Sequence, residues 1–361
     1  MSQLILTPEL QHARPVPDRR EMERAYLASD ASYDGVFYVA VRSTGIFCLP
    51  SCRARKPLVK NVEFFSDAKS ALFGGYRPCL RCRPMDSSGP EWVSKLVAMV
   101  EDRPDTRITE QDLREMGLEP ARVRRHFERF FGLSFQAYCR ARRLAKGFEV
   151  IRQGGSVDDA VYESGYESHS GFREEFHKLF GVPPAKAASA DCIQVAWVET
   201  PIGPMIAGAT DRGLCMLEFT DRRMFESEIQ MLRTRLRAAV VPGESEHHKQ
   251  IRDELQEYFD ARRSEFTVPL VRTGTPFEER VWDELLRIPH GETRSYEDVA
   301  REVGSPKAVR AVGRANGMNR IAVVIPCHRV LNKNGDLCGY GGGLWRKRLL
   351  LHLESSLQPL S

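Results

Sequence analysis

Ile325-Pro326-Cys327-His328-Arg329-Val330, followed by Gly335 and then Gly339-Tyr340-Gly341-Gly342-Gly343, sets a thiol directly beside an imidazole, with a proline in front and an arginine behind. An unperturbed thiol is only slightly ionised at neutral pH, so a nucleophilic cysteine needs a base or a positive field close by. His328 is placed to supply one, directly or through a water. An isolated Cys-His pair is more often a buried thiol beside a surface histidine; here the surroundings decide. Upstream, Thr293-Arg294-Ser295-Tyr296 leads into a helix through Val299 and Gly304 makes a turn. Pro306 is expected to open a second helix running to about Gly317, which completes a helix-turn-helix pattern. From Arg287 to Arg348, twelve Lys or Arg stand against five Asp or Glu, a balance that suits a polyanion. Charge alone would read as a solvated basic face; the cysteine motif gives it a purpose.

Over roughly residues 193 to 357 the IPCHRV string and its glycine cluster resemble the O6-alkylguanine-DNA alkyltransferases. The resemblance implies that Cys327 takes a methyl group from O6-methylguanine, or from O4-methylthymine, and keeps it. It implies that His328 relays the thiol proton through water and that Glu354 holds the histidine in the right tautomer. Asn319, eight residues before Cys327, matches the asparagine that shapes the active-site turn. Arg310 is implied to fill the gap left by an extruded base, Tyr296 to push the phosphate that rotates it, and Tyr340 to belong to the DNA-binding set. Extrusion costs stacking energy, so a plug and a lever have an energetic purpose. A carboxylate that orients an imidazole, which in turn activates a nucleophile, is sound chemistry in its own right.

Near the other end, Cys48-Leu49-Pro50-Ser51-Cys52 and Cys79-Leu80-Arg81-Cys82 form two close pairs separated by twenty-six residues. Four thiolates at this spacing suit tetrahedral zinc, because each short loop spans one edge of the coordination sphere. A disulfide reading needs an oxidising compartment, which nothing in the sequence supports; a purely structural zinc knot stays open on spacing alone. The flanking Tyr33-Asp34-Gly35, Val41-Arg42-Ser43-Thr44-Gly45-Ile46-Phe47 and Tyr76-Arg77-Pro78 are similar to the amino-terminal zinc domain of the Ada family, over about residues 18 to 86. That resemblance implies repair of methyl phosphotriesters, with Cys48 as acceptor and Cys52, Cys79 and Cys82 as the remaining ligands of one zinc. Leu49 departs from the family, where a basic residue is usual, and weakens a phosphate contact. Zinc with four thiolates has a formal charge of about −2, and methylating one sulfur leaves about −1. The lost charge is expected to let the domain approach DNA phosphates, so that damage becomes a binding signal. From Arg42 to Arg83 there are nine Lys or Arg and two acids, which fits that reading.

Between the cysteine systems, Thr109 to Met116 and Pro120 to Phe131 read as two helices around Gly117, and Ser156 to Glu163 and Ser168 to Phe180 as two more around Gly165. This tandem resembles the AraC-type transcription regulators, which place two recognition helices in successive major grooves. Candidate DNA-facing side chains are Arg122, Arg125, His169 and Arg173. Arg114 and Val161 stand near positions where a small alanine is usual, and the first unit is one residue short before its turn.

A chain of 361 residues with 42% hydrophobic content can bury two or three cores. The expected organisation is multidomain. A small α+β zinc domain (18–86) is followed by an all-α tandem helix-turn-helix domain (91–186), an α/β subdomain (192–272) and a helix-turn-helix alkyltransferase domain (275–357). Pro84 to Pro90 and Pro183 to Asp191 are the expected linkers. Ile193 to Phe219 reads as strands turning at Gly203 and Gly213, and Met224 to Val241 and Glu246 to Asp260 as helices. Cys139, Cys192, Cys215 and Cys338 have no motif and are expected to be core residues, Cys338 lying close to the active-site strand. Met1 to Gln11 carry no apolar leader and no long apolar run follows, so the expectation is a monomer in a reducing bacterial cytoplasm, associated with the nucleoid. The implied activity is single-turnover methylated-DNA–protein-cysteine methyltransfer, with zinc as cofactor and double-stranded DNA and RNA polymerase as partners. Two other classes stay open on sequence: an alkylation-sensing zinc regulator without amino-terminal repair, and a repair protein with a nonspecific DNA clamp. A metallohydrolase is a remote reading, because four thiolates leave zinc no open position for water.

Overall fold

The computed structural model describes residues 16–82, 84–86, 91–131, 133–189, 191–222 and 225–355; the Ser87-Ser88-Gly89 stretch of the first expected linker lies outside them. In the first unit Asp18 caps helix α1 (Arg19–Ala28), its carboxylate accepting from the Glu21 amide. Beside it lies a four-stranded sheet ordered β3 (Val62–Phe65), β1 (Tyr38–Val41), β2 (Ile46–Cys48), β4 (Arg77–Pro78). All neighbours are antiparallel except β2 and β4, where Phe47 pairs in parallel with Pro78. That register ends β2 at Cys48 and β4 just before Cys79, so cysteines far apart in sequence leave the sheet side by side. Helix α2 (Ala68–Phe73) follows β3, capped by Asp67.

The middle unit is all helical: α3 (Glu91–Asp102), the pair α4 (Glu110–Glu115) and α5 (Pro120–Phe131), then α6 (Phe135–Arg152), and the pair α7 (Val157–Glu163) and α8 (His169–Phe180). Each pair opens on a capping box, Thr109 with Asp112 and Ser156 with Asp159, which satisfies the free amides of a short helix. Each turns on a left-handed glycine, Gly117 at φ 75° and Gly165 at φ 66°. Helix α4 has six residues against seven in α7, so the first unit is short as its sequence implies. Helix α6, which the sequence reading did not include, is the axle of this unit. Its first half packs Phe135 and Tyr138 with Phe127, and its second half packs Leu144 and Phe148 with Phe172 and Phe176. Arg114 does not lie between helices: it is exposed and pairs with Glu110, while Leu113 points inward. In the second pair Ala160, rather than the neighbouring Val161, makes the close approach to Gly147.

The third unit is a sheet ordered β7 (Gly213–Phe219), β6 (Met205–Thr210), β5 (Cys192–Val198), β8 (Ala239–Pro242), with helices α9 (Phe225–Leu236) and α10 (Glu246–Phe259). Here the single helix expected over Met224–Val241 is corrected. It stops at Leu236, Arg237 takes a left-handed φ of 50°, and Ala239–Pro242 become an edge strand parallel to β5. Ala239 and Val241 are buried there, as a strand's alternation requires.

The fourth unit holds α11 (Pro276–Leu286), α12 (Tyr296–Glu302), α13 (Val309–Gly317) and α14 (Leu344–Ser355), with the short parallel strands β9 (Arg294–Ser295) and β10 (Val330–Leu331). Ser295 and Asp298 make another capping box and Gly304 another left-handed turn, at φ 72°. Pro306 is not the first helical residue: the Ala308 amide donates to the Ser305 carbonyl, making a turn, and α13 starts at Val309. Strand β7 meets this unit through Leu217, whose amide donates to the Arg320 carbonyl and whose carbonyl accepts from Ala322.

Two outcomes test the packing. A methyl group at Gly147 would lie 2.8 Å from a Phe172 ring carbon and 3.2 Å from the Ala160 carbonyl. Gly147→Ala is therefore expected to destabilise the middle unit by about 1–3 kcal/mol, measured by urea denaturation. His248 and His328 are both buried, which pushes their pKa values down, His248 to about 4 from 6.5. The unfolded chain takes up these protons first, so stability is full above about pH 6.5 and falls as the pH drops, His248 losing about 1.4 kcal/mol per pH unit down to about pH 4. Denaturation midpoints that stay constant from neutral pH to pH 5 would contradict this.

Candidate functional site

Cys327 opens a single 3-10 turn, Cys327–Arg329, behind Pro326. The approach is strained: Val323, a β-branched residue, sits at φ 71°, at a cost of about 1–3 kcal/mol. Asn319 holds the turn against that strain. Its Nδ2 donates to the Ile325 carbonyl at 2.9 Å and to Cys327 Sγ at 3.2 Å, and its Oδ1 accepts from the Ile321 amide. Asn316, absent from the sequence-derived set, donates to the Cys327 carbonyl at 3.3 Å.

Glu354 on α14 is fully buried and accepts from five donors: His328 Nε2, Arg329 Nε and Nη2, the Tyr258 hydroxyl and the Gly291 amide. Burial alone would raise its pKa, but the neighbouring imidazole and the Arg329 guanidinium outweigh it and hold the carboxyl well below the usual range. His328 goes the other way, since burial pushes it down further than Glu354 pulls it up, so the ring is neutral at pH 7. With Nε2–H donating to Glu354 at 2.9 Å, Nδ1 carries the lone pair, and it has no protein partner. The Cys327 thiol is raised by burial and lowered less by Asn319, so it rests protonated and a base must take its proton. His328 Nδ1, on the adjacent residue and unpartnered, is the candidate to take it, directly or through a water.

Two more cations, Lys347 and Arg222, neither of them singled out by motif, brace the turn beside Arg329. Arg329 Nη1 donates to the Ile288 carbonyl at 2.6 Å. Lys347, fully buried, donates from Nζ to the carbonyls of Val330 at 2.6 Å and Cys338 at 3.0 Å. Arg222 donates to the carbonyls of Gly317 at 2.7 Å and Asn319 at 3.1 Å and pairs with Glu218 and Glu228. Only Arg329 and Lys347 had a signal, as charges within otherwise buried segments.

Outside the turn, an open groove of about 610 Å³ is lined by Tyr296, Val309, Arg310, Gly313, Asn332 and Lys333 among others. Arg310 is exposed on α13 at this groove. Tyr296 is half-buried, its hydroxyl beside Asn316 Nδ2 at 3.5 Å and the Cys338 thiol. Cys338 is thus a half-buried neighbour of the site rather than a core residue, whereas Cys139, Cys192 and Cys215 are buried. Tyr340, expected in the DNA-binding set, is half-buried, with its hydroxyl buried and its ring packed against Gly342.

At the other end, Cys48, Cys52, Cys79 and Cys82 bring their four sulfurs within 4.8 Å of one another. The Leu49 amide donates to Cys82 Sγ at 3.4 Å, and Asp34 accepts from the Ser51 amide at 3.1 Å, fixing the Cys48–Cys52 loop. Without a cation, the Cys82 hydrogen bond, burial and neighbouring sulfur charge push the Cys48 thiol far above its ordinary range. Four thiolates this close need a divalent ion, and an all-sulfur tetrahedral set fits zinc. In the middle unit Arg125, His169 and Arg173 are exposed, His169 lying 3.4 Å from Asp158. Arg122 is half-buried, with its guanidinium 5.6 Å over the Trp92 ring.

A cysteine beside a carboxylate-held imidazole, followed by a glycine loop and flanked by a helix-turn-helix, defines an alkyltransferase; here it shares a chain with a thiolate metal domain. Residues 21–85 match the family model described as the metal binding domain of Ada. Residues 113–189 match a helix-turn-helix domain, and residues 193–271 and 276–356 match the ribonuclease-like and DNA-binding domains of 6-O-methylguanine DNA methyltransferase. The chain belongs to the Ada family: it is 32% identical, over 92% of its length and 95% of the relative, to the bifunctional transcriptional activator/DNA repair enzyme Ada of Escherichia coli K12. Its last part is 44% identical to the methylated-DNA–protein-cysteine methyltransferase of Mycobacterium tuberculosis, covering 45% of this chain and 92% of that protein. The crystal structure of Mycobacterium tuberculosis O6-methylguanine methyltransferase aligns with 47% of this chain and 96% of its own, at 40% identity and a TM-score of 0.41.

Replacing Glu354 by Gln removes the acidic side chain paired with the buried Arg329 and weakens the hold on His328. Glu354→Gln is expected to cost about 3–5 kcal/mol in stability, measured by denaturation. The alkyl-transfer rate at Cys327 should fall with it under conditions where the variant is still folded.

Proposed function

We propose that this chain repairs alkylated DNA by moving methyl groups onto two of its own cysteines, and that the transfer to Cys48 makes it a sequence-specific transcriptional activator. The observation that carries the reading is the buried line from Glu354 through His328, ending in a free Nδ1 on the residue next to Cys327. In the guanine reaction Nδ1 takes the thiol proton and Cys327 Sγ attacks the methyl carbon. The carbon–O6 bond breaks and its electron pair stays on the guanine, which takes up a proton. Extruding the base needs a plug and a lever, roles that Arg310 and Tyr296 at the groove suit. The turn itself is held by Asn319.

At the amino-terminal site Cys48, Cys52, Cys79 and Cys82 hold the metal. Bound zinc keeps all four sulfurs deprotonated at neutral pH, so no general base is needed. Cys48 Sγ, half-exposed, attacks the methyl carbon of a phosphotriester, the carbon–oxygen bond breaks, and the phosphodiester leaves as an anion. Loss of one negative charge then favours approach to DNA phosphates. Double-stranded DNA is the partner, and a protein that activates transcription meets RNA polymerase as well. Nine unpaired cysteines fit a reducing cytoplasm, and a monomer at the nucleoid is the simplest form in which each chain acts once. No described helix is long and apolar enough to cross a membrane.

A second reading of the middle unit, a clamp without sequence preference, is favoured by the shortened α4 and by Arg122 lying over Trp92. Selection of bound duplexes from a random pool separates the two: an enriched motif supports activation, and none supports the clamp. Substitution separates the two transfers. Cys327→Ser is expected to abolish transfer from O6-methylguanine and to leave phosphotriester repair at the parent rate; Cys48→Ala should do the reverse. Loss of both activities in Cys327→Ser, with the protein folded and zinc bound, would contradict the assignment.

A further inference from the structure

The zinc unit does not stand apart from the alkyltransferase. The Trp345 indole N–H on α14 donates to the Ser32 carbonyl at 2.7 Å, and both residues are buried. Glu21 on α1 is only 3% exposed, and its ion-pair partner is Arg348, at 2.5 Å, from the other end of the chain. Glu21 also accepts from the Tyr33 hydroxyl at 2.7 Å, and the Leu344 amide bonds the same hydroxyl. Gly343, which ends the glycine loop at φ 89°, has no room for a side chain, because a Cβ there would collide with the Ser32 hydroxyl. A buried carboxylate needs its partner in place, so this is a built contact rather than a chance approach.

Each side of the contact continues to an acceptor cysteine. On the zinc side Asp34, next to Tyr33, accepts from Ser51 and so fixes the Cys48–Cys52 loop. On the other side, α14 carries Lys347, which holds the Val330 and Cys338 carbonyls, and Glu354, which holds His328. Arg346 of the same helix donates to the Gly342 carbonyl at 2.7 Å. The glycine loop is therefore held from below by Arg346 and at its end by Ser32.

We propose that the zinc domain is a positioning element of the Cys327 site, with Glu21 and the Ser32–Tyr33 turn fixing Gly343, Trp345 and Arg348, and through them the glycine loop and α14. This rests on the repair reading above and adds that the Cys327 site depends on contacts made by the zinc domain. Two variants of the full chain cut the contact from opposite sides. Glu21→Gln removes the negative charge that Arg348 pairs with, and Trp345→Phe removes the indole donor while keeping a ring. Single-turnover transfer from an O6-methylguanine duplex is followed at several DNA concentrations, which splits the saturating rate from apparent affinity. Zinc content and phosphotriester transfer to Cys48 are measured on the same samples.

Each variant is expected to lower the saturating rate at Cys327 by about fivefold or more, with Cys48 transfer and zinc unchanged. Their combination should lose no more than the worse single variant, since both cut one contact. Parent-like rates at Cys327 in both variants would overturn the proposal, as would losses that multiply in the double variant. If Glu21→Gln loses zinc, Trp345→Phe alone decides. Failure of the unmodified chain to methylate Cys327 would instead strike the repair reading.

Discussion

One buried negative charge organises the catalytic half of this molecule. Glu354 lies where water cannot solvate it, and such a charge persists only when donors surround it on all sides. Those donors come from three directions: the active-site turn through His328 and Arg329, α10 through Tyr258, and the loop before β9 through Gly291. Satisfying the carboxylate therefore fastens the α/β sheet unit to the helical unit and sets the imidazole tautomer in the same act. The strained Val323 and the tethers from Asn319 are tolerated because that surrounding frame leaves the turn no other arrangement.

The amino-terminal site follows a different rule. There the difficulty is packing four ionisable sulfurs within 4.8 Å, and the fold meets it with one parallel strand pair. Antiparallel pairing of β2 with β4 would send Cys48 and Cys79 to opposite ends of the ladder; parallel pairing sends them out together. A resident cation then makes thiolate the normal state of Cys48, whereas Cys327 stays a thiol until its neighbour takes the proton. Under the proposed function the two cysteines meet the same activation problem differently, Cys48 by metal charge and Cys327 by general base.

Much of this was legible in the sequence, because the features that carry the chemistry are local. The adjacency of Cys327 and His328, the two cysteine pairs, and the Ser/Thr-x-x-Asp caps with a glycine turn after each are all short-range patterns. What sequence could not place depends on long-range packing. Helix α6 has an irregular apolar pattern because its two halves face different cores. The end of α9 was read through into β8 because only pairing with β5 makes Ala239–Pro242 a strand. Arg222, Asn316 and Lys347 act through backbone carbonyls, which leave no trace in a motif. Tyr340 sits in a glycine-rich string that reads as surface, yet its hydroxyl is buried by the fold around it.

The most direct test of the central claim is peptide mass spectrometry of the zinc-loaded chain after incubation with one duplex carrying both O6-methylguanine and a methyl phosphotriester. The predicted result is one methyl group on the peptide containing Cys327 and one on that containing Cys48, with the other seven cysteines unmodified. A folded, zinc-bound protein that carries no methyl on either cysteine would contradict it.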